Sequence, residues 1–122
     1  MTAPTTSGPA GSKAPPMAER EALRPYTPKL VELTHEVLFG DVWERPGLSK
    51  RDRSLITVAA LIAAYRPEQL KVHMDRALTN GVTREELAEA ITHLAFYAGW
   101  PSGMTAAGIL RGILEARGQA GA

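Results

Sequence analysis

Apolar residues recur along the chain at intervals of three and four, a period that predicts amphipathic helices. The first predicted helix begins at Thr27-Pro28, an N-cap residue followed by proline at the first helical position, and Gly40 can end it. After an irregular stretch, Ser49 and Asp52 form an S-x-x-D start for the second helix. Nothing alternates with a period of two for long enough to predict a strand. The pattern therefore predicts an all-α fold.

The same signals predict further helices in the second half of the chain. Pro67 opens the third helix, and Asn80-Gly81 closes it. Thr83 to Glu86 read as a capping box for the fourth helix. Gly99-Trp100-Pro101 breaks the pattern, and Ser102 can cap a last helix. We therefore expect about five to six helices.

The second predicted helix differs from the others because Leu55 to Ala64 is apolar on every side apart from Thr57. A helix that is apolar all round, yet too short for a membrane, belongs at the buried centre of a fold or of an oligomer. A small domain has little capacity to bury such a helix alone. The pattern therefore predicts an oligomer-forming domain.

The N-terminal residues have a different composition. Residues 1–22 are rich in Pro, Ala, Ser and Thr and contain no apolar run, which predicts a disordered tail. The helical domain is expected to span residues 23–118, followed by a disordered C-terminus at 119–122.

Charge and cysteine content narrow the classes of function. The chain has 122 residues, a formal net charge of +1 and no cysteine. The charge balance gives no electrostatic case for binding nucleic acid or an anionic membrane. The absence of cysteine excludes thiol chemistry and disulfides. Because neither a secretory signal pattern nor a transmembrane stretch is present, we expect a cytoplasmic protein.

Three histidines are the first candidates for chemistry. His73 shares a helix face with Leu70 and neighbouring apolar residues, so it is either a core residue or the floor of a pocket, and periodicity alone favours the core. His93 lies in an i, i+4 row with two glutamates and Tyr97, which is typical of a boundary row of surface pairs. His35 is interpreted as a surface residue.

Charged residues gather near the start of the apolar helix. Arg45, Arg51 and Arg53 are close in sequence to Asp52, which can pair with Arg45 or Arg51. The alternative is a guanidinium cluster that binds a carboxylate, since arginine offers a planar, bidentate fork. Trp43 could then cover one side of the ligand. No metal-ligand pattern, phosphate loop or nucleophile elbow accompanies these residues, so we expect neither a metal nor a cofactor.

Four segments, in this order, carry a resemblance to a known family. They are VLFGDVWERPGL (37–48), SKRDRSLITVAALIAA (49–64), Asn80-Gly81-Val82-Thr83 and AITHLAFYAGWP (90–101). From Tyr26 to about Arg117 the chain resembles the carboxymuconolactone decarboxylase family, in its γ-carboxymuconolactone decarboxylase branch. The resemblance implies a helical domain of the alkyl-hydroperoxidase type.

The related alkyl hydroperoxidase branch uses a Cys-x-x-Cys-x-x-x-His motif and a preceding glutamate. Aligning His73 with that motif places Arg66 and Gln69 at the two cysteines and Ser54 at the glutamate. Since peroxidase chemistry needs a thiolate and a resolving thiol, only the decarboxylase branch fits this chain.

The resemblance implies a carboxy-lyase without cofactor, which converts 4-carboxymuconolactone to the β-ketoadipate enol-lactone in aromatic catabolism. It also reverses the interpretation of His73, because the family's histidine occupies this position. The implied catalytic residues are His73, His93 and Glu44. The implied substrate-binding residues are Arg45, Arg53, Tyr97, Trp43 and Trp100.

Two alternatives remain open from the sequence. One is a related tailoring enzyme that acts on another lactone, quinone or polyketide-like acid, for which Arg66, Gln69 and Met104 could set specificity. The other is a helical oligomer that only binds a small acid. In each case the family resemblance implies a homotrimer or homohexamer.

Overall fold

The computed structural model describes residues 14–119, and this part of the chain is helical without any strand. The all-α prediction is confirmed, with the upper of the two expected helix counts. None of the described helices is both long enough and apolar enough to cross a membrane. The six helices are α1 Ala14–Ala22, α2 Pro28–Leu33, α3 Lys50–Ala63, α4 Pro67–Thr79, α5 Arg84–Ala98 and α6 Trp100–Ala116.

The described residues form two compact units, of which the first ends at Lys50 and the second begins at Arg51. Helix α1 in the first unit lies within the segment for which a disordered tail was predicted. Composition misses this helix because its contacts reach residues that are distant in sequence, such as Phe39 and His35. The rest of the predicted N-terminal tail, residues 1–13, lies outside the described residues. Of the predicted C-terminal tail, Gln119 is described and residues 120–122 are not.

Helix α2 of the first unit continues directly into a π-helical segment, Thr34–Phe39, and Gly40 follows as the predicted end. Pro28 occupies the predicted first helical position, but the Thr27 side chain does not cap the helix. Its hydroxyl instead donates to the carbonyl of Leu23 at 3.4 Å. A short 3-10 turn, Val42–Glu44, completes this unit before α3 begins.

The second unit has one continuous apolar core formed by α3 to α6. The buried members are Val58, Ile62, Leu70, Met74, Ala77, Val82, Leu87, Ile91, Ala106, Leu110, Ile113 and Leu114. Gly103 allows α5 and α6 to approach closely, because a Cβ atom at this position would lie 2.8 Å from the Cβ of Ala95. Five members of this core, Leu70, Met74, Ala77, Leu87 and Ile91, lie on the predicted inward faces of α4 and α5.

Helix α3 buries only one of its faces. Val58 and Ile62 are fully buried with Ser54, one turn apart along the helix. Ile56, on another face, is 56% exposed. Of the two predicted places for this helix, the centre of a single chain is therefore not observed, because only the row at intervals of four meets the core. Burial of the remaining face in an oligomer stays a prediction.

The helix ends follow the sequence signals closely, with one shift. The capping box of α5 is confirmed, since Glu86 N donates to Thr83 Oγ1 at 3.0 Å and Thr83 N donates to Glu86 Oε1 at 2.9 Å. Helix α6 begins at Trp100 with Gly99 as its N-cap, so the assignment of Ser102 as the cap was wrong. Gly99 alone makes the break, because its φ of 107° is a conformation that favours glycine.

Polar side chains connect the helices of the second unit around the core. Asn80 Nδ2 donates to the buried Ser54 hydroxyl at 2.9 Å, which satisfies that polar group. At the other end, Arg117 Nε donates to Asp75 Oδ1 at 2.8 Å, and its Nη2 donates to Thr79 Oγ1 at 3.0 Å. These bonds join the start of α3 and the end of α6 to the C-terminal half of α4.

Candidate functional site

His73 lies on α4 at the boundary of the core. The residue is partly exposed, its Nδ1 atom is buried, and its neighbours Leu70, Met74 and Ala77 on the same face are buried. The predicted apolar face of α4 is therefore confirmed. An imidazole in this position combines an apolar environment with access from solvent, which suits both the core and the pocket-floor interpretations.

His93 and Tyr97 lie together on an exposed face of α5. Their ring centroids are 4.7 Å apart and the planes meet at 29°, which is a stacked pair one helical turn apart. Tyr97 is 78% exposed, and Glu85 and Glu89 in the same row are exposed as well. The sequence places these residues in one row, and the structure brings the two rings into contact.

The arginines near the start of α3 have separate environments. Arg51 Nη1 donates to Asp52 Oδ1 at 3.0 Å, and Arg51 Nη2 donates to Glu86 Oε2. Of the two pairings open to Asp52, the one with Arg51 is thus observed. The bond to Glu86 raises the pKa of Arg51, and the backbone N–H of Thr83 together with Arg51 lowers the pKa of Glu86. Arg51 therefore connects the starts of α3 and α5.

Arg53 and Arg45 are the two arginines predicted to bind substrate. Arg53 is partly buried in the first turns of α3, within the second unit. Arg45 is exposed and belongs to the first unit, where its backbone N–H closes the 3-10 turn on the Val42 carbonyl at 3.3 Å. The two predicted carboxylate-binding residues thus have different degrees of exposure.

Glu44 and Trp43 lie in the 3-10 turn of the first unit. Glu44 Oε2 forms an ion pair with Lys50 Nζ at 2.9 Å, and both side chains are exposed. Trp43 is buried, with its ring centroid 5.9 Å from that of Phe39. The Lys50 contact was not predicted, since the two residues are separated by an irregular stretch whose path the sequence does not specify.

Trp100 has the opposite environment to Trp43. It is 57% exposed, and its ring meets the edge of Phe96 at a centroid distance of 5.3 Å and an angle of 86°. Phe96, Tyr97 and Met104 are exposed around it. We call Phe96, Tyr97, Trp100 and Met104 the aromatic surface. A large apolar area of this kind is typical of an interaction site.

Contacts that sequence reasoning missed include two aromatic pairs and a hydrogen bond between side chains. Phe39 with Trp43 and Phe96 with Trp100 are each four residues apart, but Gly40 and Gly99 interrupt the helix between the partners. Helical spacing therefore predicts neither pair. His35 Nε2 lies 2.5 Å from Glu21 Oε2, and the His35 side chain is partly exposed. His35 is therefore a surface residue as predicted, with a partner that the sequence did not predict. No local spacing predicts that contact, because it depends on the position of α1.

An apolar groove of about 280 Å³ runs between α5 and α6, and none of the predicted site residues lines it. Across residues 14–119, no three side chains among His, Asp and Glu are grouped so that they could hold a metal ion. Independence from metals and cofactors stays a prediction that activity measurements must test.

Comparison with known proteins identifies the family. The sequence model of the carboxymuconolactone decarboxylase family matches residues 28–112. The chain belongs to the carboxymuconolactone decarboxylase family. The resemblance found in the sequence segments is thereby confirmed, and the family region extends from the start of α2 into α6.

Three relatives refine this result. The chain is 47% identical over 64 residues to the 4-carboxymuconolactone decarboxylase of Acinetobacter baylyi, covering 52% of this chain and 48% of the relative. It is 42% identical over 78 residues to the nitrosuccinic acid decarboxylase npaB of Metarhizium robertsii, covering 64% and 54%. An uncharacterized 15.0 kDa protein of Paracoccus denitrificans, from the nqo9-nqo10 intergenic region, is 29% identical over 86 residues, covering 69% and 64%. The chain spans about half the length of the first two relatives.

Proposed function

We propose that this protein is a carboxy-lyase that releases CO2 from 4-carboxymuconolactone. The observation that carries the proposal is the 47% identity over 64 residues to a 4-carboxymuconolactone decarboxylase, within a family region of residues 28–112. A role in aromatic catabolism and a cytoplasmic location stay predictions from the sequence.

The second named relative supports the reaction class more than the substrate. Its name specifies nitrosuccinic acid, which has a nitro group where 4-carboxymuconolactone has an unsaturated lactone. Both groups can accept the electron pair that a departing carboxylate leaves behind. The shared chemistry is therefore loss of CO2 from an acid that contains its own electron acceptor, and this supports decarboxylation without a cofactor.

The proposed reaction has two steps. The bond between the ring carbon and the carboxylate breaks, CO2 leaves, and the electron pair enters the conjugated lactone as a dienolate. A proton is then added to carbon, which gives the enol-lactone. The protein must bind the substrate carboxylates, stabilise the dienolate oxygen by hydrogen bonding and supply the proton.

His73 is our proposed residue for the proton or for the hydrogen bond to the dienolate oxygen. Its place at the edge of an apolar core supports this role, because a hydrogen bond is stronger where water is excluded. His93 is the second choice, with Tyr97 stacked on it. The exposure of this pair favours His73 over His93.

The arginines are proposed to bind substrate carboxylates. The partial burial of Arg53 supports a bidentate contact in a restricted environment, and Arg45 is the corresponding proposal in the first unit. Glu44 is held by Lys50, which supports an orienting role. Trp43 and Trp100 are proposed as pocket walls, and exposed Trp100 could fill that role once another surface covers it.

The proposal is tested by measuring CO2 release from 4-carboxymuconolactone and from nitrosuccinate with purified protein, before and after exhaustive chelation. We expect turnover of the lactone that survives chelation. Turnover of nitrosuccinate alone would move the assignment to the second relative's chemistry. If neither acid releases CO2 and another lactone or acid binds tightly, the result would instead favour the tailoring enzyme or the oligomer that only binds a small acid.

A further inference from the structure

Helix α1 lies ahead of residues 28–112, the region that matches the family model. Its side chains nevertheless contact the π-helical segment of the first unit. That segment in turn contacts the 3-10 turn, where Trp43 and Glu44 lie and after which Arg45 follows. The chain of contacts therefore starts outside the family region and ends at three proposed site residues.

The first contact joins Arg20 to Phe39. The guanidinium carbon of Arg20 lies 4.6 Å from the centroid of the Phe39 ring. Burial lowers the pKa of this guanidinium, while the charge of neighbouring Glu21 raises it. Arg20 Nε is buried and has no hydrogen-bond acceptor among the described residues, and Nη2 donates only to Met17 Sδ at 3.2 Å. The ring face of Phe39 is therefore a main partner of this charge.

The second contact fixes the neighbouring residue of α1. Glu21 Oε2 lies 2.5 Å from His35 Nε2, and the same carboxylate accepts two hydrogen bonds from Arg24, each of 2.9 Å. His35 and Phe39 are one turn apart in the π-helical segment. Two successive residues of α1 are thus held at two points of that segment, and these contacts set both its position and its rotation.

The third contact passes from Phe39 to Trp43. Phe39 is the last residue of the π-helical segment, and its ring packs at 5.9 Å from the buried ring of Trp43. π-Helical turns often occur at functional sites, because they change the direction of the side chains that follow. A shift of Phe39 is therefore expected to displace the Trp43 ring that packs on it, at the start of the segment that continues to Arg45.

We infer that α1 is a positioning element for the substrate-binding segment Trp43–Arg45, and that Arg20 acts on this segment through Phe39. This inference rests on the proposed function for its effect on catalysis. Because Arg20 is inferred to act through Phe39 and not on the substrate itself, its removal should weaken the binding of a carboxylate substrate and leave the chemical step nearly unchanged.

The kinetic test compares three variants of the full chain. Arg20→Gln should raise the KM for 4-carboxymuconolactone about three- to tenfold, the size expected from loss of one cation–π contact, with kcat within about twofold. Arg20→Lys retains a cation and should restore most of the affinity. Lys29→Gln is the matched control, because it removes an exposed cation of the same unit that pairs only with Glu32 among the described contacts. An unchanged KM in Arg20→Gln, or the same rise in Lys29→Gln, would overturn the inference.

A second readout does not depend on activity. In a Trp100→Phe background Trp43 is the remaining tryptophan, and its burial predicts weak quenching by acrylamide. Adding Arg20→Gln should increase the quenching, and Arg20→Lys should reverse the increase. If the wild type shows no turnover, the proposed function fails, yet increased quenching would still support positioning of Trp43 by α1. Unchanged quenching in Arg20→Gln would contradict the positioning itself.

Discussion

The two units of the chain bury their apolar residues to very different extents. Between residues 17 and 50, Val31 and Trp43 are the apolar residues described as buried, whereas between 51 and 119 a continuous core forms. The first unit instead exposes a long series of large apolar side chains. They are Met17, Leu23, Tyr26, Leu30, Leu33, Val37, Leu38, Val42 and Leu48. The second unit thus has a core of its own beside the exposed aromatic surface, while the first unit presents mainly apolar surface that needs a cover.

The largest expected effect concerns assembly. If copies of the chain cover the apolar side chains of the first unit and the aromatic surface, light scattering should give a mass close to three or six times 13.1 kDa. Phe96→Asp should lower that mass, because it places a charge on exposed apolar area. A stable monomer at micromolar concentration would contradict this prediction and leave the exposed residues without an explanation.

The next prediction compares a buried leucine with an exposed one. Leu87 of the second unit is 0% exposed and Leu30 of the first is 59% exposed. Leu87→Ala should lower the free energy of unfolding by about 2–5 kcal/mol, since it creates a cavity in a packed core. The loss of unfolding free energy for Leu30→Ala should be smaller than that for Leu87→Ala by about 1 kcal/mol or more. Urea unfolding of both variants at one protein concentration measures the two losses. Equal losses would mean that another surface covers Leu30 in solution as fully as the core covers Leu87.

A smaller effect is expected from two threonines that precede helices. Thr83 caps α5 through its hydroxyl, whereas Thr27 occupies the same position before α2 without such a bond. Thr83→Ala should therefore cost about 0.5–2 kcal/mol of unfolding free energy, and Thr27→Ala should be close to neutral. Thermal unfolding of both variants checks this, and a larger loss for Thr27→Ala would be inconsistent with the observed caps.

The smallest effects are expected in the pH dependence of the unfolding free energy, through one carboxylate in each unit. Hydrogen bonds from Arg24 lower the pKa of Glu21 to about 2, and those from Thr83 and Arg51 lower the pKa of Glu86. Because each folded-state pKa lies below the unfolded value of about 4.3, the stabilisation is complete above that pH. For Glu21 it is lost as the pH falls towards about 2.

Glu21→Gln and Glu86→Gln, each compared with wild type by NMR titration and urea unfolding, test these shifts. Each substitution should destabilise the protein near neutral pH, and the difference should shrink in acid. We expect Glu21→Gln to perturb resonances of the first unit and Glu86→Gln those of the second. A difference that grew as the pH fell would have the wrong sign.

The comparison also explains which features the sequence could predict. In the second unit, the capping box at Thr83 and the apolar face around His73 depend on neighbours within one or two turns, so periodicity and capping signals suffice. In the first unit, α1 and the contact between Glu21 and His35 depend on residues 14 positions apart, which no local pattern specifies. The Lys50 partner of Glu44 could not be predicted for a different reason, since the sequence does not specify the path of the irregular stretch between them.

The candidate site divides in the same way. The family segments identify the candidate site residues, and helical spacing places His93 and Tyr97 in one row. The exposure of that pair agrees with the boundary row expected for His93. The partial exposure of His73 could not be predicted, because periodicity does not specify how completely the neighbouring helices cover its face. The structure thus adds a difference in exposure to the preference for His73 over His93 that the family resemblance already implies.

The most direct test of the account compares CO2 release from 4-carboxymuconolactone by His73→Ala, His93→Ala and wild type. The account predicts that His73→Ala loses about 10²–10⁴-fold in rate, the usual loss of a positioned acid or base, while exposed His93→Ala loses less than about tenfold. His73→Asn, with light scattering and circular dichroism of every variant, separates loss of chemistry from loss of fold. Turnover that survives in a folded His73→Ala variant and collapses in His93→Ala would contradict the assignment.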